Sequence, residues 1–448
     1  MAWLVGGWVR DELLGRPSRS DVDIVLLGDA LQAAEILARA GVASQPPVLY
    51  SRFGTAMVRV GDLTLELVTA RRESYSKDSR KPRVEPASLL EDAQRRDFTV
   101  NALLLGLWDG KIVDPLGLGL RDLESRTLRT PREPSQTFSD DPLRMLRAVR
   151  FKWQLGGWSF APGLAESIAE NAHRLEIVSA ERTRDELIKM LALVDADKAL
   201  CDLLELGLLA RFAPELAAMR GVEQGDYHHL DAFDHTCFVV RNVGPSDLTL
   251  SLAALLHDLG KPRTRVIDAE GKTRFFGHET VGATLAREWL EAMRFSGEMI
   301  ANVALLVKNH MRFTGLTNLS PSAARRLVRD LGDQLDRLLA LVEADANALK
   351  PGVRGLDLGP IRAQIAETLR ETPRETLVSP LDGNEISTLT GLGSGPSIGR
   401  IKKQLTEMVL SGELRAGDQE AARAWVLSTF ATRDGATTSS IDEGQVPS

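Results

Sequence analysis

The residues with the most evident chemistry are two aspartates, Asp21 and Asp23, which flank one valine ahead of an apolar run. Side chains alternate faces along a β-strand, so both carboxylates would point the same way. Paired carboxylates suit hard cations such as Mg²⁺. Upstream, the turn at Gly6 and Gly7 would let backbone N–H groups approach phosphate oxygens closely. In this order, the two features predict a nucleoside-triphosphate site with two-metal chemistry.

A second polar motif, RRDFTVNA, occupies residues 95–102 just before an apolar segment. Its two arginines can neutralise the charge of a triphosphate. Asp97 and Asn101 lie four residues apart, so on a helix they would share one face, from which they could hydrogen-bond a ribose. Helix capping with a surface ion pair is the plainer alternative.

A third motif begins at Ser139 and continues through Asp141 to Arg144. Asp141 and Arg144 are three residues apart, which predicts one helical face. There a carboxylate and a guanidinium could mimic the Watson–Crick edge of a template base. A helix N-cap at Ser139 or Asp141, with Pro142 in the first turn, would fit the same residues, and both roles can hold at once.

The first 135 residues mix strand and helix signals, and these elements must position the motifs. Alternating segments at Ala56–Val60 and Leu63–Val68 predict half-buried strands. Glu66 falls on the opposite face from the leucines of the second segment, so it could add a third carboxylate to the aspartate pair. An exposed strand position is equally consistent with that pattern. Residues 71–94 are rich in charge and proline and predict a mobile loop.

From about Ser135 onward the apolar residues recur at intervals of three and four, which predicts helices. All seven histidines of the chain stand in this part, and four of them form a spaced set at 235, 257, 278 and 310, of which the second belongs to the sequence LHDLGK. Imidazoles with carboxylates suit Mn²⁺, Fe²⁺, Co²⁺ or Ni²⁺, and carboxylates alone suit Mg²⁺. A bound metal can lower the pKa of water and polarise a phosphoryl oxygen. One histidine would be assigned a structural role, but this set predicts a metal site.

The composition is that of an ordinary globular chain of two to four domains, with 448 residues, 43% apolar and 26% charged. No apolar run approaches the roughly 20 residues that span a membrane, and no signal peptide is evident. The two cysteines do not predict a disulfide framework. We therefore expect a cytoplasmic protein without a membrane partner.

The net charge of −7 argues against a broadly basic surface for nucleic acid, although local basic patches remain compatible with it. Two candidates are the acid-free run Arg144–Lys152 and the cluster Arg400, Lys402 and Lys403. A solvated helix face is the commoner meaning of such runs. The polar, small residues 433–448 predict a disordered end.

The quoted motifs resemble those of the nucleotidyltransferase superfamily, specifically the bacterial (class II) tRNA nucleotidyltransferases and poly(A) polymerases. RRDFTVNA is a highly specific match, and Asp141 and Arg144 match a motif usually written E-D-x-x-R, in which Asp140 here replaces the usual Glu. LHDLGK resembles the HD phosphohydrolase motif. The resemblance implies a multidomain α/β plus all-α protein. Its parts would be a nucleotidyltransferase head with a small mixed sheet (1–135), a helical neck and body (136–224), an HD domain (225–350), a helical tail (351–432) and a disordered end (433–448).

The resemblance also implies roles for individual residues. In the head, Mg²⁺ would be held by Asp21 and Asp23, with Glu66 as the third catalytic carboxylate. The implied nucleotide contacts are Gly6, Gly7, Arg10, Asp11, Arg96, Asp97, Asn101, Asp141, Arg144 and Arg147. In the HD domain the implied ligands of a divalent transition metal or Mg²⁺ are His235, His257, Asp258 and Asp345, and the implied phosphate or second-metal residues are Lys261, His278 and His310.

The implied activity is addition of CCA, or of its terminal A, to tRNA from CTP and ATP without a nucleic-acid template. In the family, a loop at 71–94 helps to switch specificity from C to A, so its presence favours A addition. A partner enzyme is expected if C and A addition are split. The rivals are a CC-adding enzyme, a poly(A) polymerase, whose usual G-R-R-F signature is replaced here by residues 50–56, and an HD phosphohydrolase with an RNA-binding head. The tail resembles tails that hold the tRNA elbow.

Overall fold

The computed structural model describes residues 1–16, 21–76, 79–225, 230–350 and 356–430, with 73–76 and 79–84 described by their backbone alone. The predicted disordered end at 433–448 lies outside the described residues. The chain divides into two compact units, Met1–Lys308 and Asn309–Ser448. Across the described residues, no helix combines the length and the apolar character needed to cross a bilayer.

Within the described residues, the strands belong to the first unit. They are β1 (Ala2–Val5), β2 (Asp21–Leu26), β3 (Val48–Tyr50), β4 (Thr55–Val60), β5 (Leu63–Thr69), β6 (Arg71–Ser76), β7 (Ser79–Pro86), β8 (Leu104–Gly106), β9 (Ile112–Val113), β10 (Thr127–Leu128), β11 (Ser159–Phe160), β12 (Arg265–Ile267) and β13 (Thr273–Phe275).

The helices of the first unit are α1 (Gly7–Leu13), α2 (Ala30–Arg39), α3 (Leu89–Gln94), α4 (Gly119–Glu124), α5 (Pro134–Asp140), α6 (Leu143–Gln154), α7 (Leu164–Asn171), α8 (Ala180–Leu191), α9 (Ala196–Glu205), α10 (Leu209–Phe212), α11 (Pro214–Ala217), α12 (Ala232–Val243), α13 (Leu248–Leu256), α14 (Lys261–Thr264), α15 (His278–Ala292) and α16 (Gly297–Asn309), which ends one residue into the second. The second unit contains α17 (Pro321–Leu331), α18 (Leu335–Ala346), α19 (Gly359–Glu371), α20 (Gly383–Thr390), α21 (Pro396–Ser411) and α22 (Gln419–Phe430).

The head is built on a seven-stranded sheet with the order β3-β4-β5-β2-β1-β8-β9. Strands β2 and β5 run parallel and the other neighbours antiparallel, so the predicted mixed sheet is confirmed. One face buries Val22 and Ile24 of β2 against Ala30 and Ala34 of α2. Burial of a whole aliphatic side chain stabilises the fold by about 1.5–3 kcal/mol, so this packing fixes which face of β2 carries its polar residues.

The two strands predicted at Ala56–Val60 and Leu63–Val68 are confirmed as β4 and β5. The prediction of a loop at residues 71–94 is wrong, because the segment folds into the β6–β7 hairpin followed by α3. Its charges favour a surface location, but they also pair across the hairpin. Arg72 stands opposite Glu85 in register, and their side chains form an ion pair of 2.7 Å.

Among the described residues beyond 134, the regular structure is helical except for β11, which pairs with β10, and the β12–β13 pair, as the apolar spacing predicted. Helix α12 packs against α9 and α13. Helix α13 is buried from Thr249 to Leu256, in keeping with its apolar sequence LTLSLAALL. The two cysteines, Cys201 on α9 and Cys237 on α12, are free thiols, as expected.

In the second unit, α21 packs against α17 and α20, and α20 packs against α22. Arg326 and Arg329 of α17 reach Glu407 of α21 at 3.1 and 3.5 Å. The predicted basic cluster Arg400, Lys402 and Lys403 is exposed on α21.

Candidate nucleotide and metal sites

The carboxylates of the head are aligned by strand register. In the parallel pair β2–β5, Asp21 stands opposite Thr64 and Asp23 opposite Glu66. Register partners of a parallel pair project to the same side, so Glu66 joins the face that carries Asp21 and Asp23. Val22, between the aspartates, is buried in the core.

This alignment crowds negative charge around Asp23, which is half-buried, while Asp21 and Glu66 beside it are exposed. Burial raises the pKa of the Asp23 carboxyl, against the pull of Arg96, and neighbouring Asp21 raises it further. Burial and the charge of Asp23 likewise raise the pKa of the Glu66 carboxyl. Crowded ionised carboxylates repel one another, and a divalent cation relieves that repulsion.

The head acids suit Mg²⁺ better than they suit a metal enclosed entirely by protein ligands. Three ligand atoms within 4.8 Å of one another are found in the described chain at two histidine–aspartate groups, and not among these acids. Mg²⁺ usually binds one or two carboxylates and completes its octahedron with water and substrate phosphates. Asp21 and Asp23 could therefore hold the ion while leaving positions open for a triphosphate.

Gly6 lies where a side chain would disturb this site. Its φ is +80°, and a Cβ built on it would lie 3.0 Å from the Oδ2 atom of Asp23. β1 ends at Val5 and Gly7 begins α1, so the predicted turn at the glycine pair is present. Glycine is needed at position 6 both for backbone conformation and for space.

We expect Gly6→Ala to lower nucleotide-directed activity about 100-fold, because it displaces Asp23 by a fraction of an ångström as well as straining the backbone. The matched control is Gly15→Ala, where φ is +65° but nothing lies within 4 Å of the new Cβ. Both variants should lose similar stability in thermal unfolding. Equal activity losses in the two would contradict the contact with Asp23.

Arg10 and Asp11 are both buried, and the nucleotide contacts implied for them stay predictions. The Nη2 atom of Arg10 pairs with Asp11 at 2.7 Å, and its Nη1 atom donates to Asn101 Oδ1 at 2.7 Å. The side chain is 1% exposed. The guanidinium thus joins α1, directly after the glycine turn, to the RRDFTVNA motif.

Asp97 and Asn101 lie together, as their spacing predicted, but the prediction that one helix carries both is wrong. A 3-10 turn spans Thr99–Asn101, and Asp97 precedes it. Asn101 Nδ2 donates to Asp97 Oδ1 at 2.9 Å, while Arg147 donates to Asp97 Oδ2 from Nη2 at 2.5 Å. Burial alone would raise the pKa of the Asp97 carboxyl, but Arg147 and Asn101 hold it well below its usual value.

The acid-free run Arg144–Lys152 does not form the basic surface that its sequence predicts. Acids from distant segments neutralise it: Arg147 pairs with Asp97, Arg150 with Glu186 at 2.5 Å, and Lys152 with Asp202 at 2.7 Å. Glu186, on α8, is buried and also lies 3.7 Å from Arg147. The sequence alone does not indicate Glu186, because its partners Arg150 and Arg147 lie 36 and 39 positions away.

We expect Asp97→Asn to lower the free energy of unfolding by about 2 kcal/mol at neutral pH, because it leaves Arg147 without its main partner. The folded pKa of Asp97 lies below the ordinary value of 3.8, so the carboxylate stabilises the fold above that value and loses its effect as the pH falls toward the folded pKa. Urea unfolding should show a constant gap to wild type between about pH 5 and pH 8, narrowing below the ordinary value. The exposed pair variant Glu35→Gln should stay within about 0.5 kcal/mol of wild type. A gap that widens in acid would contradict this prediction.

A buried acid on α3 forms ion pairs with both arginines of RRDFTVNA. Asp92 accepts from Arg95 at 2.9 Å through Oδ1 and from Arg96 at 2.9 Å through Oδ2. Arg95 and Arg96 thereby stay close enough to the head carboxylates to oppose part of the rise in the pKa of Glu66 that burial and Asp23 cause. Asp92 was not singled out in the sequence, although its spacing of three and four residues to the arginines was a readable signal.

Asp141 and Arg144 do not share one helical face as predicted, because the chain breaks between α5 and α6. Asp141 is extended, with φ −146° and ψ 101°, and its Oδ1 accepts from the Leu143 backbone N–H at 3.2 Å, as a capping residue does. Its Oδ2 pairs with Arg182 of α8 at 2.8 Å. Arg144 donates to the backbone carbonyls of Thr137 at 3.2 Å and Arg95 at 2.5 Å.

A second cluster lies on α12–α15. Ligand atoms of His235, His257 and Asp258 lie within 4.8 Å of one another, and all three residues are buried. The His257 Nε2 atom is 3.1 Å and the His235 Nε2 atom 3.7 Å from Asp258 Oδ2. His278 approaches Asp258 Oδ1 at 3.3 Å.

Backbone carbonyls orient two of these imidazoles. The Nδ1 atom of His257 is 2.8 Å from the Ala254 carbonyl, and that of His278 is 2.8 Å from the Phe275 carbonyl. A carbonyl only accepts, so each Nδ1 donates to it, and each Nε2, directed at Asp258, is the nitrogen that could bind a metal. This is the arrangement of metal-bound histidines in proteins.

Lys261 closes one side of the histidine–aspartate cluster. It pairs with Asp258 at 2.7 Å and hydrogen-bonds Gln224, a residue that the sequence did not single out. Burial alone would raise the pKa of the Asp258 carboxyl, but His257 and Lys261 hold it well below its usual range. The cluster's donor set of imidazoles and a carboxylate fits a divalent transition metal.

His310 and Asp345 belong to the second unit. His310 is buried at the start of the 3-10 turn His310–Phe313, against which α18 packs, and Asp345 is half-buried near the end of α18. Their assignment to a metal site stays a prediction.

Comparisons with known proteins cover most of the chain. Three family models match: "Poly A polymerase head domain" over residues 2–129, "Probable RNA and SrmB- binding site of polymerase A" over 157–220, and "HD domain" over 226–346.

Two relatives match nearly the whole chain. The A-adding tRNA nucleotidyltransferase of Deinococcus radiodurans is 35% identical over 440 residues, which are 95% of this chain and 94% of that protein. The CC-adding tRNA nucleotidyltransferase of Thermus thermophilus is 35% identical over 437 residues, which are 95% and 93%. The solved structure of the Bacillus stearothermophilus CCA-adding enzyme in complex with CTP is 25% identical and matches with a TM-score of 0.67 over 95% of this chain and 92% of that one. The multidomain architecture and the family resemblance carried by the motifs are confirmed, and the chain belongs to the family of tRNA nucleotidyltransferases.

Proposed function

We propose that this enzyme adds nucleotides of the CCA end to the 3′ terminus of tRNA from CTP and ATP, including the terminal A, without a nucleic-acid template. The observation that carries the proposal is the register that aligns Asp23 with Glu66 beside Asp21, with Arg95 and Arg96 nearby. Relatives named as A-adding and CC-adding enzymes are equally similar to this chain, so the choice of nucleotide needs experiment.

The head carboxylates would act at the reacting phosphorus. Asp21 and Asp23 would hold Mg²⁺, which supplies charge neutralisation at the triphosphate and activation of the RNA 3′-hydroxyl, with Glu66 as a third carboxylate. Gly6 and Gly7 leave room for phosphate oxygens, and Arg96 would balance their charge.

The motif residues would orient the nucleotide. Asp97 and Asn101 would face the ribose, while Arg10, Asp11 and Arg147 keep them in place through the buried hydrogen bonds described above. Asp141 and Arg144 would read the base. Both oxygens of Asp141 are engaged in the absence of substrate, so a base would have to replace Arg182, which is 53% exposed, rather than the Leu143 amide.

The experiment is nucleotide incorporation on three tRNA transcripts, ending before CCA, after C and after CC, with CTP and ATP offered separately and together with Mg²⁺. Addition of all three nucleotides would establish a complete CCA enzyme. Use of ATP on the CC-ended transcript alone would make it an A-adding enzyme that needs a partner for CC. Incorporation of CTP alone, or of repeated A on unrelated RNA, would instead favour a CC-adding enzyme or a poly(A) polymerase. No incorporation would overturn the proposal.

We propose a second activity, hydrolysis of phosphoesters at the histidine–aspartate cluster, on the strength of three buried ligand residues with oriented imidazoles. A divalent transition metal there would supply an activated water. Phosphodiesters such as 2′,3′-cyclic phosphates at damaged RNA ends are the substrates to test. We propose a cytoplasmic location for both activities.

A further inference from the structure

Two arginines donate hydrogen bonds to neighbouring backbone carbonyls at the end of α3. Arg132 Nε donates to the carbonyl of Gln94 at 3.1 Å, and Arg144 Nη2 donates to that of Arg95 at 2.5 Å. Carbonyls at the C-terminal end of a helix lack helical partners and attract cations. The end of α3 is therefore a common support for Arg132 and for the proposed base-reading Arg144.

Arg132 also connects α3 to the break between α5 and α6, beside the proposed base-reading residues Asp141 and Arg144. It forms an ion pair with Asp140, the last residue of α5, directly before Asp141. The two side chains are 29% and 23% exposed, so solvent screens the pair only in part. Arg132, with its contacts to Gln94 and Asp140, is called the α3 clamp below.

The clamp borders the space in front of Arg144. Arg132, Asp140 and Arg144 line one polar cavity of about 180 Å³, together with Gln94 and Arg95. Arg144 is held at two carbonyls, but Asp141 sits on an extended residue between two helices. Keeping the carboxylate and the guanidinium in one fixed geometry therefore requires that the α5–α6 break itself be held.

We propose that Arg132 is a positioning residue for base selection, because it fixes the α5–α6 break on the end of α3. The inference rests on the proposed function. Arg132 acts on Asp141 through its ion pair with Asp140 and not by contact with the nucleotide. Asp140 is the position at which this chain departs from the usual Glu, and Arg132 is the partner that its shorter side chain reaches.

The test measures kcat and KM for ATP, CTP and the wrong nucleotide UTP, in wild type, Arg132→Ala, Arg132→Lys and Asp140→Asn. We expect Arg132→Ala and Asp140→Asn to lower the preference for the correct nucleotide over UTP about tenfold, chiefly through KM, while kcat with the correct nucleotide stays within about threefold. Arg132→Lys keeps the charge and should fall between. The control is Arg121→Ala, an exposed arginine on α4, which should match wild type.

A double-mutant cycle separates this role from general destabilisation. Combined with Asp140→Asn, Arg132→Ala should cost little further selectivity, because both remove the same contact. Unchanged selectivity in folded Arg132→Ala and Asp140→Asn, or equal losses in kcat and selectivity across all variants, would overturn the inference. If Arg132→Ala does not fold, Arg132→Lys and Asp140→Asn decide it. Absence of any incorporation by wild type would instead overturn the proposed function, and this inference with it.

Discussion

Replacement of Asp23 by asparagine is expected to lower nucleotide incorporation by about 1,000-fold or more. Asn keeps the shape of the side chain but removes the charge that would bind the proposed Mg²⁺ opposite Glu66. Loss of metal-assisted stabilisation of the transition state costs several kcal/mol, and each 1.36 kcal/mol is a factor of ten in rate. The measurement is single-turnover incorporation on the CC-ended transcript.

The variant should remain folded, which makes its inactivity informative. The folded pKa of Asp23 is raised, so the neutral form is the one that the fold favours, and the ionised form is unfavourable at neutral pH without metal. Asp23→Asn should therefore unfold at the same temperature as wild type or slightly higher. Added Mg²⁺ should stabilise wild type more than the variant.

The control is Asp62→Asn, at an exposed acid in the turn after β4, which should leave both incorporation and the Mg²⁺ response unchanged. Asp21→Ala with Asp23→Ala should abolish incorporation yet leave phosphoester hydrolysis intact. Persistence of incorporation within tenfold of wild type in Asp23→Asn would show that the catalytic assignment is wrong.

The second large effect is expected at the histidine–aspartate cluster. His257→Gln should reduce bound transition metal, measured by elemental analysis of the purified protein, and lower hydrolysis of 2′,3′-cyclic AMP at least about 100-fold. The reason is that its oriented Nε2 lies 3.1 Å from Asp258 and is one of three ligand atoms that meet there. Nucleotide incorporation should be unchanged, because the head contains its own acids.

His173→Gln is the matched control for that substitution, since His173 is exposed on the 3-10 turn after α7. It should retain metal and activity. If wild-type protein binds no transition metal and His257→Gln differs in neither stability nor hydrolysis, the cluster is a structural element rather than a phosphohydrolase site.

Local chain geometry allowed much of the head to be predicted. Alternation along a strand puts Asp21 and Asp23 on one side whatever the rest of the fold does, and a glycine at position 6 signals a backbone that other residues avoid. The Asp97–Asn101 contact also followed from spacing, although the element between them is a 3-10 turn. A recognisable motif such as RRDFTVNA or LHDLGK carries this local information in a few residues.

Expectations failed where the partner of a residue lies far away in sequence. The run Arg144–Lys152 looks basic because its acids, Asp97, Glu186 and Asp202, come from other segments. Residues 71–94 looked like a loop because pairing of Arg72 with Glu85 cannot be read from either strand alone.

The sequence by itself determined which residues can perform chemistry: the aspartate pair, the phosphate-side glycines and arginines, and the histidine–aspartate set, because residue type and short spacing fix their local geometry. Only the tertiary structure decided their partners. Strand register aligned Glu66 with Asp23, helix packing placed Arg182 on Asp141, and burial paired Arg10 with Asp11 and Asn101. Contacts of that kind depend on where whole elements pack, and packing is a property of the folded chain rather than of any short segment.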